Sequence, residues 1–295
     1  MMRIVLFLLT NLAIMLVLSV VASIFGLDRW AYSHSGINLT GMLVFCALFG
    51  MGGSFISLLM SKTLAKMSVG AQVIAAPRNA SEQWLFDTVG HHASSAGIGM
   101  PEIAIYEAPE MNAFATGASK NHALVAVSTG LLSSMNRNEV SAVLGHEITH
   151  VANGDMVTLA LIQGVVNTFV MFLARVLGSL IDGALQGNRD RSEGGYGIGY
   201  FVITMVLQTV LGVLATMIVM WFSRWREFRA DAGGARLGGR DNMISALQTL
   251  SGNHGETQLP KAVQAFGISG QGGFSRLFMS HPPIAERIEA LKNPV

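Results

Sequence analysis

Four long apolar runs dominate the alternation of hydrophobic and polar positions along the chain. About 20 consecutive apolar residues let a helix cross the hydrocarbon core of a bilayer. Ile4–Leu27 and Gly36–Met60 contain no charged residue. Each can pair its whole backbone internally as a helix and span. The first run is longer than the roughly 7 to 15 residues of a signal-peptide core, and a second run follows closely, so it reads as a retained anchor. Met156–Ile181 is interrupted by Arg175. An arginine costs about 3 kcal/mol at the bilayer centre, but Arg175 sits near the end of its run, where it can snorkel. More than ten Leu, Ile, Val and Phe residues of that run offset the cost at roughly 0.3 to 0.6 kcal/mol each. Tyr196–Phe222 is uncharged, and the polar segment Gln186–Gly195 before it reads as a hairpin loop.

The polar segments carry weaker periodicities. Ser81–Ser95 reads as a helix closed by Gly97, and Glu102–Tyr106 and Ala123–Ser128 read as short strands. Met111–Gly117 between them is a short extended segment suited to a sheet edge. Asn136 followed three residues later by Glu139 is a capping-box signature. It predicts a helix that runs through His150 and stops at Asn153 and Gly154. After the fourth run, helices are expected over Ser223–Leu237, Asn242–Leu250 and Pro283–Leu291, while Gly252–Gly273 looks loose. The expected organisation is therefore residues 1–60 as two transmembrane helices, 61–155 as a catalytic part, 156–222 as a transmembrane hairpin and 223–295 as a second catalytic part. The fold class is α+β, mainly helical with a small β-sheet, joined to four transmembrane helices.

Composition sharpens this reading. Hydrophobic residues make up 51% of the chain and charged residues 13%, against about 25% charged in an ordinary soluble domain. The net charge of +1 and the absence of a basic cluster argue against a nucleic-acid partner. Cys46 is the single cysteine, so a disulfide within the chain is excluded and a metal would need His and carboxylate ligands. Arg3, Lys62, Lys66, Arg78, Arg224, Arg226 and Arg229 flank the runs on one side, and Arg29, Arg189 and Arg191 on the other. That excess places both termini and residues 61–155 in the cytoplasm.

The chemistry centres on His146, Glu147, Ile148, Thr149 and His150, an H-E-x-x-H pattern on the capped helix. Residues four apart share a helix face, so both imidazoles can grip one ion. Catalytic zinc takes three protein ligands and keeps an open position. Glu147, beside the histidines, is then placed to act as general base. A structural site would instead fill the fourth position with a protein ligand, which counts against a non-catalytic, zinc-stabilised membrane scaffold. A histidine six residues past His150 would mark the metzincin pattern, but Met156 stands there. Asp155 and Glu227 are the candidates for third ligand. The spacing of Glu227 and Asp231, four apart on a predicted helix, favours Glu227 on the metal and Asp231 on the far nitrogen of a ligand histidine.

Asn112–Gly117 (NAFATG), Gly145–His150 (GHEITH), Glu227–Asp231 (EFRAD) and Ser280–Pro283 (SHPP), in that order, resemble the HtpX family of heat-shock membrane zinc metalloproteases, which is related to the CAAX prenyl endopeptidases. The resemblance covers nearly the whole chain. It implies a gluzincin-type domain facing the bacterial cytoplasm from the inner membrane. It also implies one zinc ion per chain on His146, His150 and Glu227, with Glu147 as base. The implied substrates are damaged or misfolded membrane proteins and unfolded polypeptides, cut beside membrane lipid as part of a stress response. It further assigns Asn112, Ala113, Phe114 and Ala115 to a substrate-binding edge strand, and His281 to oxyanion stabilisation with Arg287 nearby. CAAX-type processing of prenylated substrates is the alternative enzyme reading, ranked lower because such relatives have more membrane spans than four runs supply.

Overall fold

The computed structural model describes residues 38–186, 198–253 and 279–293. The first apolar run Ile4–Leu27, the expected loop beyond Gln186 and nearly all of Gly252–Gly273 lie outside these residues. Helices predominate: α1 (Leu39–Val69), α2 (Ala80–Ser95), α3 (Thr129–Ser134), α4 (Arg137–Asn153), α5 (Asp155–Gln186), α6 (Ile198–Gly238), α7 (Arg240–Asn253) and α8 (Ile284–Lys292). A small mixed sheet is formed by β1 (Gln72–Val73), β2 (Glu102–Tyr106), β3 (Ala113–Thr116) and β4 (Leu124–Ser128). Contacts divide the chain into two units, one drawn from residues 1–56 and 160–218, the other from 57–159 and 219–295.

Among the described residues, three helices are long and apolar enough to cross a membrane: α1, α5 and α6. In the apolar unit these helices pack through small residues. A Cβ on Gly50 would lie 2.7 Å from the backbone nitrogen of Thr168, and one on Gly164 would lie 3.3 Å from Cα of Met51. Ser54 Oγ donates to the Ala160 carbonyl. Small residues let helix backbones approach closely where lipid offers no hydrophobic drive to associate. Leu48, Phe49, Phe201, Met205 and Leu214 point outward and are exposed, as lipid-facing side chains of spanning helices must be.

The second unit is built on the sheet, whose strand order is β1-β2-β4-β3. β4 is central, parallel to β2 and antiparallel to β3. Its residues alternate between two cores. Val125 and Val127 join Leu85, Val89, Ile103, Leu144 and Ile148, while Leu124 and Ala126 join Ala104 and Tyr106. All five residues of β4 are therefore buried. The helix α4 starts on the expected capping box, with Asn136 accepting from the Glu139 N–H and Glu139 returning to the Asn136 N–H. The other Glu139 oxygen accepts from Ser245 (2.6 Å) and Thr249 (3.0 Å) on α7, so one carboxylate both caps α4 and ties it to its neighbour. Gly154 ends α4 in the left-handed region at φ 66°, where glycine is free of a Cβ clash.

Two departures from the sequence reading stand out. The expected boundary between the fourth run and a separate helix from Ser223 does not exist, and α6 continues unbroken to Gly238. No proline or glycine interrupts the Trp221–Arg229 stretch, and Ser223 by itself does not break the helix, so it propagates. The strand β1 and the short helix α3, capped by Ser128 Oγ on the Leu131 N–H, were not anticipated. Both are too short to show a period.

Candidate metal centre

The H-E-x-x-H residues lie on α4 with His146 and His150 on one buried face, 6% exposed each. Helix α6 brings Glu227 and Asp231 to them from beyond Phe222, where its apolar run ends. The approach is close because the facing positions are small. A Cβ on Gly234 would sit 3.0 Å from the His146 backbone nitrogen, and one on Gly238 would sit 2.5 Å from Cα of Ala142. Gly145 faces the same seam, its absent Cβ 3.3 Å from Cα of Gly234. Backbone thus packs on backbone, and the short glutamate can reach both imidazoles.

The polar atoms converge. Nε2 of His146 and Nε2 of His150 are 3.1 Å apart. Glu227 Oε1 lies 3.3 Å from His150 Nε2, and Glu227 Oε2 lies 3.5 Å from His146 Nε2. Glu227 is fully buried, and its Oε1 has no hydrogen-bond partner. On the far side of each ring a carboxylate waits. His150 Nδ1 donates to Asp155 Oδ2 at 2.7 Å. His146 Nδ1 lies 2.9 Å from Asp231 Oδ1, a charge contact without hydrogen-bond alignment. A neutral imidazole that is protonated at Nδ1 carries its lone pair at Nε2. Two lone pairs and an orphaned carboxylate oxygen therefore face one another inside the protein. That arrangement is repulsive unless a cation sits among them, and His146, His150 and Glu227 could hold a metal ion.

The electrostatics agree with that demand for positive charge. Burial disfavours a charged His146, but the Asp231 and Glu227 carboxylates outweigh it and raise the pKa to about 9. His150 is raised likewise, burial being outweighed by Asp155 and Glu227. Burial opposes ionisation of Glu227 as well, and the three histidines 146, 150 and 281 reverse it, holding the carboxyl well below the ordinary range.

Helix α8 closes the site. Arg287 grips Asp231 with two bonds, Nε to Oδ2 at 2.7 Å and an Nη to Oδ1 at 2.6 Å. Its guanidinium also lies 3.7 Å from Glu227. His281, just before α8, donates from Nδ1 to Glu227 Oε2 at 2.8 Å, yet its side chain is 59% exposed. Glu147 is half-buried, and its negative charge contributes to the raised pKa of His146, His150 and Arg287. Asn112 to Ala115 lead into and form β3, the edge of the sheet beyond β4. Ser128 N–H donates to the Asn112 carbonyl at 2.9 Å. In an antiparallel pair the bonded positions alternate, so Phe114 bonds to β4, whereas Ala113 and Ala115 turn their N–H and C=O to the open edge.

Residues 79–295 match the family model for peptidase family M48. The chain belongs to peptidase family M48. As an M48 chain it is a metalloprotease, and its apolar helices make it a membrane-associated one. Protease HtpX of Xanthomonas euvesicatoria pv. vesicatoria (strain 85-10) is 61% identical over 292 residues, covering 98% of this chain and 97% of the relative. Protease HtpX of Xanthomonas campestris pv. campestris (strain B100) is 60% identical over the same length and coverage. The crystal structure of S. mikatae Ste24p aligns with a TM-score of 0.59 at 20% identity, covering 97% of this chain and 67% of that one. At that identity the likeness shows a shared fold.

Sequence reasoning about the M48 site left two contacts unassigned. Asp155, weighed as a ligand, instead faces the Nδ1 of His150, and its signal was its place directly after a glycine helix stop. Arg287, noted only as near the site, is the clamp on Asp231, and nothing in its local sequence marks that partner.

Proposed function

We propose that the chain is a zinc endopeptidase of the bacterial inner membrane that cuts exposed segments of damaged or misfolded membrane proteins, with its active site facing the cytoplasm. The observation that carries this reading is the triangle of His146 Nε2, His150 Nε2 and the Glu227 oxygens, with separations of 3.1, 3.3 and 3.5 Å. Zinc bonds of 2.0 to 2.1 Å in tetrahedral geometry set ligand atoms about 3.3 Å apart. These separations, to one or the other Glu227 oxygen, support one zinc per chain on this donor set. When bound, zinc supplies a Lewis acid that polarises the scissile carbonyl and acidifies a water.

The remaining roles belong to the protein. Glu147 takes the water's proton and returns it to the departing amine. His281, on the solvent side of Glu227, donates to the oxygen that gains negative charge. Asp231, clamped by Arg287, steadies His146. An extended substrate adds to the open edge of β3 through Ala113 and Ala115. Neither its sequence nor its fold need be specified by main-chain pairing, which suits unfolded polypeptide as substrate. Two crossings between them, by α5 and by the apolar part of α6, bring His150 and Glu227 to the same side of the membrane. The basic residues flanking the runs support the cytoplasmic side.

The test replaces Glu147 with Gln and measures zinc content together with cleavage of an unfolded protein in detergent. Zinc at one per chain with cleavage reduced by at least about 100-fold is expected, since a positioned general base contributes 10²- to 10⁴-fold. Undiminished cleavage removes Glu147 from the reaction, and a wild-type chain that takes up no zinc ends the proposal.

A further inference from the structure

Two carboxylates face the Nδ1 atoms of the two histidines, and they are not equivalent. Asp231 receives two hydrogen bonds from Arg287, and its contact with His146 is unaligned. Asp155 makes an aligned 2.7 Å hydrogen bond to His150, and both residues are buried, Asp155 5% and His150 6% exposed. On the basis of the zinc site proposed above, we infer that Asp155 is a positioning residue. It fixes the Nδ1–H tautomer and ring plane of His150, so that the Nε2 lone pair is presented to the metal.

The backbone is shaped for this contact. Five residues along a continuous α-helix turn through about 500°, which leaves position 155 about 140° round the axis from position 150. An aspartate there would point away from the His150 ring. The left-handed Gly154, at φ 66° and ψ 35°, breaks α4 and donates its N–H to the carbonyls of His150 and Val151. The helix is interrupted at that point, and Asp155 opens α5 within reach of the His150 ring. Asp155 also lies in the first turn of α5, where a carboxylate is favoured by the unpaired N–H groups. The residue is thus aimed at His150 without competing for the arginine that occupies Asp231. A histidine that must choose one tautomer in a buried site needs such an acceptor, and partners of this kind are worth about 10- to 100-fold in metal affinity.

The experiment compares full-length wild type, Asp155→Asn and Asp155→Leu in detergent. It measures zinc dissociation constants by chelator competition and the thermal melting of the metal-free forms. Leu keeps the volume and removes the acceptor, whereas Asn keeps an acceptor and removes the charge. The expected order is wild type tightest, Asp155→Asn weaker by about threefold or more, and Asp155→Leu weaker by about 10- to 100-fold. Both variants binding zinc within twofold of wild type would overturn the assignment. If Asp155→Leu does not fold, Asp155→Asn decides alone, and an affinity equal to wild type rejects it. A wild-type chain without zinc would instead defeat the metal site itself, so the two failures are separable.

Discussion

Gly238 sits eleven residues past Glu227 and touches no ligand, yet its substitution by alanine should weaken metal binding. A Cβ there would lie 2.5 Å from Cα and 2.8 Å from N of Ala142. These are backbone atoms of the H-E-x-x-H helix, and they have no rotamer to yield. Relief to an ordinary contact distance requires α4 and α6 to part by roughly 1 Å, whereas metal sites tolerate ligand errors of about 0.2 Å. Overpacking costs about 1 to 3 kcal/mol, and the better helix propensity of alanine returns about 1 kcal/mol. The net destabilisation is up to about 2 kcal/mol, or up to a few degrees in Tm for a unit of this size. The assay is thermal melting of Gly238→Ala with and without zinc, alongside chelator competition. Gly252→Ala on α7 is the control, since a Cβ there meets nothing within 4 Å. Expected are a lower Tm in the metal-free form and at least tenfold weaker zinc for Gly238→Ala, with no loss for the control. Unchanged Tm and zinc affinity in Gly238→Ala would refute the idea that glycine-level contact sets the ligand spacing.

Three further outcomes follow from the same geometry. Arg287→Ala strands the buried Asp231 carboxylate and should cost about 3 to 5 kcal/mol in denaturant unfolding; Arg287→Lys, which lacks the two-pronged fork, should recover only part of that. Ala115→Pro removes an N–H that faces the open edge of β3, so KM for an unfolded substrate should rise about fivefold, equivalent to about 1 kcal/mol for one hydrogen bond, while zinc content stays unchanged. Burial disfavours ionisation of Glu139, but donors from Ser245, the Asn136 backbone and Thr249 prevail and hold its pKa below 4.5. The unfolded chain therefore takes up this proton first as pH falls. The stabilisation is intact above about pH 4.5 and is lost as pH drops through the folded pKa. Glu139→Ala should be less stable than wild type by about 2 kcal/mol at pH 7 and should show a shallower loss on acidification; equal acid slopes would count against the assignment.

Local order was legible in the sequence wherever one residue or one period decided it. Among the described residues, three of the apolar runs form helices long and apolar enough to cross a membrane, because an apolar run has no better way to pair its backbone than within itself. The Asn136–Glu139 pair and Gly154 mark both ends of α4 because caps are made by side chains a few positions away. The spacing of His146 and His150 places them on one helix face for the same local reason. Other features depended on chain segments far apart in sequence. The run of α6 past Phe222 carries Glu227 to the histidines, and its depth of approach was set by Gly234 and Gly238 meeting Ala142 and His146. No pattern within either segment encodes that distance. Arg287 finds Asp231 across 56 positions, and Asp155 turns from possible ligand to partner of His150 where a left-handed glycine interrupts the helix. Propensity and periodicity act within a few turns, whereas the convergence of buried charges is a property of packing, and only the folded chain reveals which carboxylate faces which nitrogen.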